Sequence, residues 1–176
     1  MHRLFVALPI TEDIADQMLD LMDGPERLRW VHADSLHLTL RFIGEVDGAQ
    51  AEDIAAALAS LHVPAFMLRL AGVGTFQHRR HGALWAGVSP REPLVALNRR
   101  VERAVQSTGL AAETRAYHPH ITLARWSGQP PDCRSWLERH GSQASAPWSV
   151  DRLVLFESHL GRAGPSYEER LIIPTH

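Results

Sequence analysis

The tetrapeptide His37-Leu38-Thr39-Leu40 occurs a second time in this chain, as His120-Ile121-Thr122-Leu123. From the composition of the chain, roughly 0.02 copies of His-aliphatic-Thr-Leu are expected by chance when matches to the pattern are counted. Both copies lie in apolar runs that predict strands, so the His and Thr of each copy should project from one face of a sheet. The chemistry of the protein is therefore expected between the two copies.

The segments around the two tetrapeptides follow the same predicted order: strand, helix, connection, motif strand, helix, strand. We predict one catalytic domain over residues 1–176 with two lobes that share a core, formed by pseudo-repeats at about 1–75 and 82–176. A Gly- and charge-rich stretch, Gly72 to Gly82, predicts a flexible loop at the midpoint. Two lobes related by a pseudo-two-fold axis would bring the motif strands together across a cleft.

Length, composition and charge set the broad class of the protein. A net charge of −2 over 176 residues argues against a general nucleic-acid coat protein, but it leaves room for a site that binds one phosphate. Cys133 is the only cysteine, so no intrachain disulfide can form and a reducing compartment is expected. No apolar run approaches membrane-spanning length, and Met1-His2-Arg3 leads directly into a predicted strand with no signal peptide. We expect a soluble cytoplasmic protein.

Two facing His-x-Thr pairs suit acid-base chemistry at phosphorus. One histidine can be protonated while the other is neutral, as concerted general acid and general base catalysis requires, and threonine hydroxyls can donate to non-bridging oxygens. Arg41 shares the face of His37 by strand parity and is predicted to bind substrate. Arg125 has the opposite parity to His120, so it reaches the site only if the strand bends, bulges or ends first.

A metal site is the main alternative chemistry that the sequence raises. His118-Pro119-His120 and a total of 11 histidines are compatible with zinc. However, the chain has no cysteine cluster and no His-Glu-x-x-His helix, which are the usual zinc signatures. We therefore expect neither a metal nor any other cofactor.

With the two motifs placed, the chain resembles the two-histidine phosphoesterase superfamily, and within it the bacterial and archaeal RNA 2′,3′-cyclic phosphodiesterases, historically called 2′-5′ RNA ligases. The likeness extends over nearly the whole length. The stretches that carry it are Arg3 to Leu8, His37 to Gly44, Ala83 to Val88, Pro119 to Arg125, Phe156-Glu157-Ser158 and Tyr167.

The resemblance implies a bilobal α+β fold with antiparallel sheets flanked by helices, an active site in the central cleft and metal-independent chemistry. The implied reaction opens a terminal 2′,3′-cyclic phosphate of RNA to a 2′-phosphate, with O3′ leaving. His37 would be the proton donor and His120 the proton acceptor, while Thr39, Thr122 and Arg125 would hold the phosphate. The near-symmetry of the motifs leaves acid and base open, so this assignment rests on the resemblance alone. The resemblance also implies a possible 2′-5′ RNA ligase activity in vitro.

Two other functions fit the same residues. The first is a phosphodiesterase of small nucleotides, such as 2′-5′ oligoadenylates or ADP-ribose cyclic phosphates, because only the part of the substrate beyond the phosphate differs. The second is a non-catalytic module that binds RNA ends, although binding alone does not need a matched acid and base. We expect a monomer whose partner is an RNA with a 2′,3′-cyclic phosphate end or a small nucleotide.

Overall fold

The computed structural model of the protein describes residues 1–176, which form nine strands, four α-helices and one 3-10 turn. The strands are β1 (His2–Pro9), β2 (Arg29–Trp30), β3 (His37–Val46), β4 (Phe66–His78), β5 (His81–Ser89), β6 (His120–Ser127), β7 (Trp148–Val150), β8 (Arg152–Gly161) and β9 (Gly164–Pro174). The helices are α1 (Glu12–Leu19), α2 (Gly48–Ala59), α3 (Glu92–Ser107) and α4 (Arg134–His140), and the 3-10 turn is Ala33–Ser35. Every strand pair is antiparallel, so the expected α+β class is confirmed.

The strands form one sheet in the order β7-β4-β5-β6-β3-β1-β8-β9, and β2 also pairs with β6. The two motif strands, β3 and β6, are neighbours at the centre of this sheet. They share only one residue pair, Leu38 with Ile121, whereas the pairings on either side of them continue over seven or eight residue pairs. We call β3, β1, β8 and β9 lobe 1, and β6, β5, β4, β7 and β2 lobe 2. The lobes therefore meet at the two motifs.

The two halves of the chain exchange strands. β4 comes from the first half of the sequence but pairs with β5 in lobe 2, and β8 comes from the second half but pairs with β1 in lobe 1. Each lobe thus contains two strands from the other half of the chain: β8 and β9 in lobe 1, and β2 and β4 in lobe 2.

The predicted flexible loop at 72–82 is wrong. β4 and β5 form a hairpin whose pairing runs to His78 and His81, so only Arg79 and Arg80 form the turn. Two of the glycines that suggested a loop lie inside strands. The Cβ position of Gly74 is filled by the ring of Trp85, and that of Gly82 by the ring of Trp126. These glycines make room for indole rings rather than freeing the backbone.

The helices cover the sheet and close one continuous core. α2 and α3 pack against each other and against lobe 1, and α4 packs on β4. α3 buries its predicted apolar stripe of Leu94, Leu97, Val101 and Val105, and each such side chain contributes about 1.5–3 kcal/mol when fully buried. A single cluster of 34 buried residues includes side chains of both lobes, so the lobes share one core. None of the helices combines the length and the apolar composition needed to cross a membrane.

Candidate active site

The two motifs meet around the Leu38–Ile121 pair. Both side chains are fully buried, which fixes the motif strands against the core. In antiparallel register this pair places His37 opposite Thr122 and the first-motif threonine opposite His120, with all four side chains on the other face of the sheet. The structure therefore brings the four predicted residues to one place, at the boundary between the lobes.

Both histidine rings are held in the same orientation by backbone carbonyls. His37 Nδ1 lies 2.7 Å from the Ser35 oxygen, and His120 Nδ1 lies 2.6 Å from the His118 oxygen. A carbonyl oxygen can only accept, so Nδ1 carries a proton and donates in both cases. In each neutral ring Nε2 is then the free, basic nitrogen. The two rings are prepared for proton transfer through Nε2.

The protein disfavours the charged form of both rings. Burial lowers the pKa of His37 from 6.5 to about 4, with further contributions from the positive charges of Arg125 and His120. Burial also lowers the pKa of His120, together with the charges of His118 and Arg125. An anion bound near both rings would oppose these effects, because a negative neighbour favours the imidazolium. The site is thus neutral at its two histidines until an anionic group enters.

Each motif strand contains a β-bulge at the final leucine of the motif. On β3 the pairing with β1 shifts so that Leu40 has no partner, and on β6 the pairing with β5 shifts so that Leu123 has none. A bulge inserts one extra residue and so reverses the alternation of faces beyond it. Counted from the histidine of each motif, the fifth residue (Arg41 or Ala124) therefore turns toward the helices. The sixth residue (Phe42 or Arg125) turns toward the site.

These bulges determine which of the two predicted arginines faces the site. Arg125 is the sixth residue counted from His120, so the bulge turns it toward the face of the histidines, and its positive charge contributes to the lowered pKa of both. Arg41 is a fifth residue, and the structure does not bring it to the site. Its Nε lies 2.6 Å from Glu102 Oε2, and its Nη2 donates to the Ala111 carbonyl at 2.8 Å. The parity assumed for Arg41 was wrong because the bulge at Leu40 reverses it.

The bulged backbone of β3 is supported from lobe 2 and from α3. The Tyr117 hydroxyl donates to the carbonyl of Thr39 at 3.2 Å, and the Asn98 amide donates to the carbonyl of Leu40 at 2.8 Å. In β6 the corresponding carbonyl is that of Leu123, which accepts from the backbone N–H of Val31 at 2.8 Å. Tyr117 lies three residues before His120, so its hydrogen bond adds a second link between the two motif segments beside their single strand pair.

Aromatic side chains surround His37 on the lobe 1 side. Ring centroids lie 4.9 Å away for Phe5, 5.3 Å for Tyr167 and 6.2 Å for Phe156. These rings come from β1, β8 and β9, which are far apart in sequence but adjacent in the sheet. They exclude water from one side of the imidazole, which accounts for its low pKa. Beyond the likeness of the chain ending to a known family, the sequence carries no signal for this packing.

A second aromatic group lies against His120. Phe76 of β4 approaches its ring edge-on at 4.8 Å, and Trp85 of β5 lies at 6.3 Å. Because lobe 2 includes β4 through the strand exchange, Phe76 takes the place on His120 that Phe156 takes on His37. The site is therefore walled by aromatic rings on both sides.

Sequence reasoning also missed Arg29. It pairs with Arg125 across β2 and β6, and its Nη1 donates to Ser127 Oγ at 3.5 Å. Neither arginine forms an ion pair with a carboxylate, so the paired ends of β2 and β6 carry two uncompensated positive charges. Arg29 lies in a polar connection whose two-residue strand has no periodic signal, which is why the sequence did not indicate it.

Comparison with known proteins adds independent information. Residues 23–162 match the family described as the 2′-5′ RNA ligase superfamily. A Geobacillus stearothermophilus protein named RNA 2′,3′-cyclic phosphodiesterase is 34% identical over 97% of this chain, which spans 56% of that protein's length. The proteins of that name from Aeropyrum pernix and Escherichia coli are 34% and 29% identical. They align with 80% and 94% of this chain, covering 82% and 92% of their own lengths.

Solved structures agree with these sequence relationships. The crystal structure of E. coli LigT complexed with 3′-AMP superposes with a TM-score of 0.83 and 25% identity, covering 99% of this chain and 98% of that one. LigT in its apo form gives a TM-score of 0.80 at 27% identity, with 99% and 97% coverage. The family match covers most of the chain, and the overlap in structure is nearly complete. The chain belongs to the 2′-5′ RNA ligase superfamily of two-histidine phosphoesterases.

Proposed function

We propose that the protein is an RNA 2′,3′-cyclic phosphodiesterase that converts a terminal 2′,3′-cyclic phosphate to a 2′-phosphate. The observation that carries this proposal is the pair of histidines whose Nδ1 atoms are both tied to carbonyls, leaving two free Nε2 atoms at one site. The names of the relatives supply the substrate class. Binding alone would not require this matched pair of rings.

The reaction needs one proton to be taken and one to be given. His120 Nε2 accepts a proton from water as the water oxygen attacks phosphorus. The P–O3′ bond breaks, and protonated His37 Nε2 donates its proton to O3′. The product carries a 2′-phosphate and a free 3′-hydroxyl. Exchange with solvent returns the proton from His120 and reloads His37.

The remaining groups bind the phosphate as charge builds on it. Thr39 and Thr122 donate hydroxyl protons to the non-bridging oxygens, because they lie on the same face as the histidines. Arg125 adds a positive charge from a position two residues beyond the bulge at Leu123. Donors fixed before the reaction are worth far more than water at such a charge, since they need no reorganisation. No step in this scheme uses a metal.

Product analysis tests the proposal. Purified protein is incubated, with excess EDTA, with an oligonucleotide that ends in a 2′,3′-cyclic phosphate, and the terminal phosphate is located by ³¹P NMR. We expect a 2′-phosphate and undiminished activity in EDTA. A 3′-phosphate would reverse the direction of ring opening, and loss of activity in EDTA would contradict the metal-free scheme. Tight binding of the oligonucleotide without turnover would instead indicate a non-catalytic module that binds RNA ends. Turnover of 2′-5′ oligoadenylates alone would indicate a phosphodiesterase of small nucleotides.

We also infer that the protein works as a monomer in the cytoplasm. A single chain supplies both motifs and both aromatic walls, so the site is complete without a second copy. The one cysteine, Cys133, is buried and free, which fits a reducing compartment. Light scattering at working concentration should give a mass near 19.7 kDa, and a stable dimer would contradict the inference.

The depressed pKa values predict the pH profile of the free enzyme. The productive form needs His37 protonated and His120 neutral, and both pKa values lie below 6.5. Rising pH removes the proton from His37, so kcat/KM should be highest in mildly acidic solution and fall toward pH 8. Arg125→Gln removes a positive charge near both rings and should move the profile to higher pH. Arg41→Gln, outside the site, should not move it. Wild-type kcat/KM that peaks above pH 7 would contradict the prediction.

Tyr117→Phe should slow the reaction without unfolding the protein. The change removes one hydrogen bond to the Thr39 carbonyl, worth about 0.5–1.5 kcal/mol, and loosens the bulged strand that carries His37. We expect kcat to fall about 2- to 10-fold with little change in KM. Gln50→Leu, which removes an amide-to-carbonyl bond to Thr108 in the helix layer, is the control. It should cost similar stability and leave kcat unchanged; equal kcat losses in both variants would argue against a positioning role.

A further inference from the structure

A cavity of about 210 Å³ opens beside His37 in lobe 1. Its walls include Ile10 and Leu36, and the rings of Phe156 and Tyr167 form one side of it. A larger depression of about 330 Å³ lies between α2 and α3, and none of its lining residues belongs to the active site. Of these two, the smaller cavity is the one that His37 lines.

The size and lining of this cavity suit one flat ring system. Sites for drug-sized ligands usually measure about 300–1,000 Å³, so 210 Å³ is enough for a single base but not for a dinucleotide. Proteins bind unpaired RNA bases by stacking them on aromatic rings and by hydrogen bonding to their edges. Tyr167 is half-buried and stands edge-on to His37, so it offers a ring at the junction between the cavity and the reacting atoms.

The direction of the reaction places the nucleoside on this side. In the proposed function, on which this inference rests, His37 protonates O3′ and His120 activates water on the opposite side of phosphorus. The ribose that carries O3′ must then lie next to His37. The cavity is lined by His37 and not by His120. A base attached to that ribose is therefore within reach of this cavity.

The charges of the cavity restrict which base fits well. Asp34 and Glu169 line it, and both are exposed. Asp34 makes no hydrogen bond or ion pair, and Glu169 has only a distant contact with Arg152 at 3.9 Å. Free carboxylates repel phosphate and accept from N–H groups, as in carboxylate contacts to the amino group of cytosine. This end of the site is thus suited to a neutral group that donates hydrogen bonds.

We propose that this cavity binds the terminal nucleobase, and that Asp34 and Glu169 favour bases with an exocyclic amino group over uracil. Guanine should gain most, because its N1–H and amino group are adjacent and can both donate to one carboxylate. Uracil should gain least, because its one N–H on the pairing edge lies between two carbonyl oxygens that the carboxylates repel.

Kinetics on the four 2′,3′-cyclic mononucleotides test the selectivity. A base contact of this kind discriminates by about 1–3 kcal/mol, so we expect wild-type kcat/KM for the guanosine substrate to exceed that for uridine about 5- to 150-fold. Combining Asp34→Asn with Glu169→Gln should reduce this ratio at least 5-fold. Glu168→Gln is the matched control, because Glu168 is the adjacent carboxylate of β9 and contacts His159 instead. Equal kcat/KM for all four bases, or a ratio unchanged by the double substitution, would overturn the proposal.

A binding measurement separates this proposal from the proposed function. Guanosine 2′-phosphate and uridine 2′-phosphate are titrated calorimetrically into wild type, Glu169→Gln and Tyr167→Ala, each checked for an unchanged melting temperature. Tighter binding of the guanosine compound, lost in both variants, supports the base cavity even if no cyclic phosphate is hydrolysed. Hydrolysis with equal binding of both compounds would retain the phosphodiesterase and reject the base cavity. Ribose 2-phosphate, which has no base, should bind equally to wild type and to Glu169→Gln; a difference there would show that Glu169 acts on the phosphate instead.

Discussion

Replacing either His37 or His120 with alanine should reduce kcat on a 2′,3′-cyclic phosphate end by about 100- to 10,000-fold. Each ring performs one of two proton transfers that occur in the same displacement, so neither can substitute for the other. The loss should appear in kcat rather than KM, because the threonines and Arg125 still bind the phosphate. Single-turnover kinetics with enzyme in excess measure this step directly.

Two controls make the histidine result specific. His37→Asn can still donate to the Ser35 carbonyl but cannot donate a proton at neutral pH, so it should be as inactive as the alanine variant. His159→Ala removes an exposed histidine whose partner is Glu168, and it should keep full activity. Substantial turnover by either His37→Ala or His120→Ala would rule out the acid-base pair.

Thr39→Val and Thr122→Val should each cost about 2–4 kcal/mol of transition-state stabilisation, or about 30- to 900-fold in kcat. Valine keeps the branched shape of threonine, so the strand and its bulge should survive while the donor to the phosphate is lost. Thr75→Val, on the exposed face of β4, is the matched control and should have wild-type kcat.

The two threonine variants also test the near-symmetry of the site. Each hydroxyl lies opposite the histidine of the other motif in the register set by Leu38 and Ile121. Both losses should therefore be of similar size, and melting temperatures should stay within a few degrees of wild type. A large loss for one variant with none for the other would mean that only one threonine contacts the phosphate.

Much of the site could be predicted from the sequence because it depends on local periodicity. Alternation along a strand is enough to put His37 with Thr39, and His120 with Thr122, on one face. The repeated context is enough to suggest that the two motifs meet. The apolar stripe of α3 follows from the same kind of spacing and is confirmed.

The bulges could not be predicted. Each occurs at a leucine, with no glycine or proline to mark it, and each is stabilised by donors distant in sequence, such as Asn98 for the carbonyl of Leu40. Parity alone therefore put Arg41 in the site and allowed Arg125 there only if its strand bent, bulged or ended first. The bulge in β6 meets that condition for Arg125, whereas the bulge in β3 turns Arg41 toward Glu102 of α3. Register is a property of two paired strands, and one strand's sequence does not contain it.

The aromatic walls and the lobes depend on strand pairing between distant segments. Glycines inside β4 and β5 looked like a loop because the indole rings that fill their places cannot be inferred from spacing. The pattern of buried residues in β4 and β8 does not determine which strand each one pairs with. Pairing within their own half of the chain would satisfy the same pattern as the exchanged pairing. Tyr167 and Phe76 reach the histidines only because of that choice.

The pairing of β1 with β8 also sets the order in which the site can be assembled during synthesis. His37 and His120 both emerge from the ribosome before β8 and β9 do, yet the rings that enclose His37 belong to those last strands. A nascent or truncated chain that ends before β8 would hold both reactive histidines with lobe 1 unfinished and His37 exposed to water. RNA turnover should therefore begin only after β8 and β9 have been synthesised, because these strands close the site around His37.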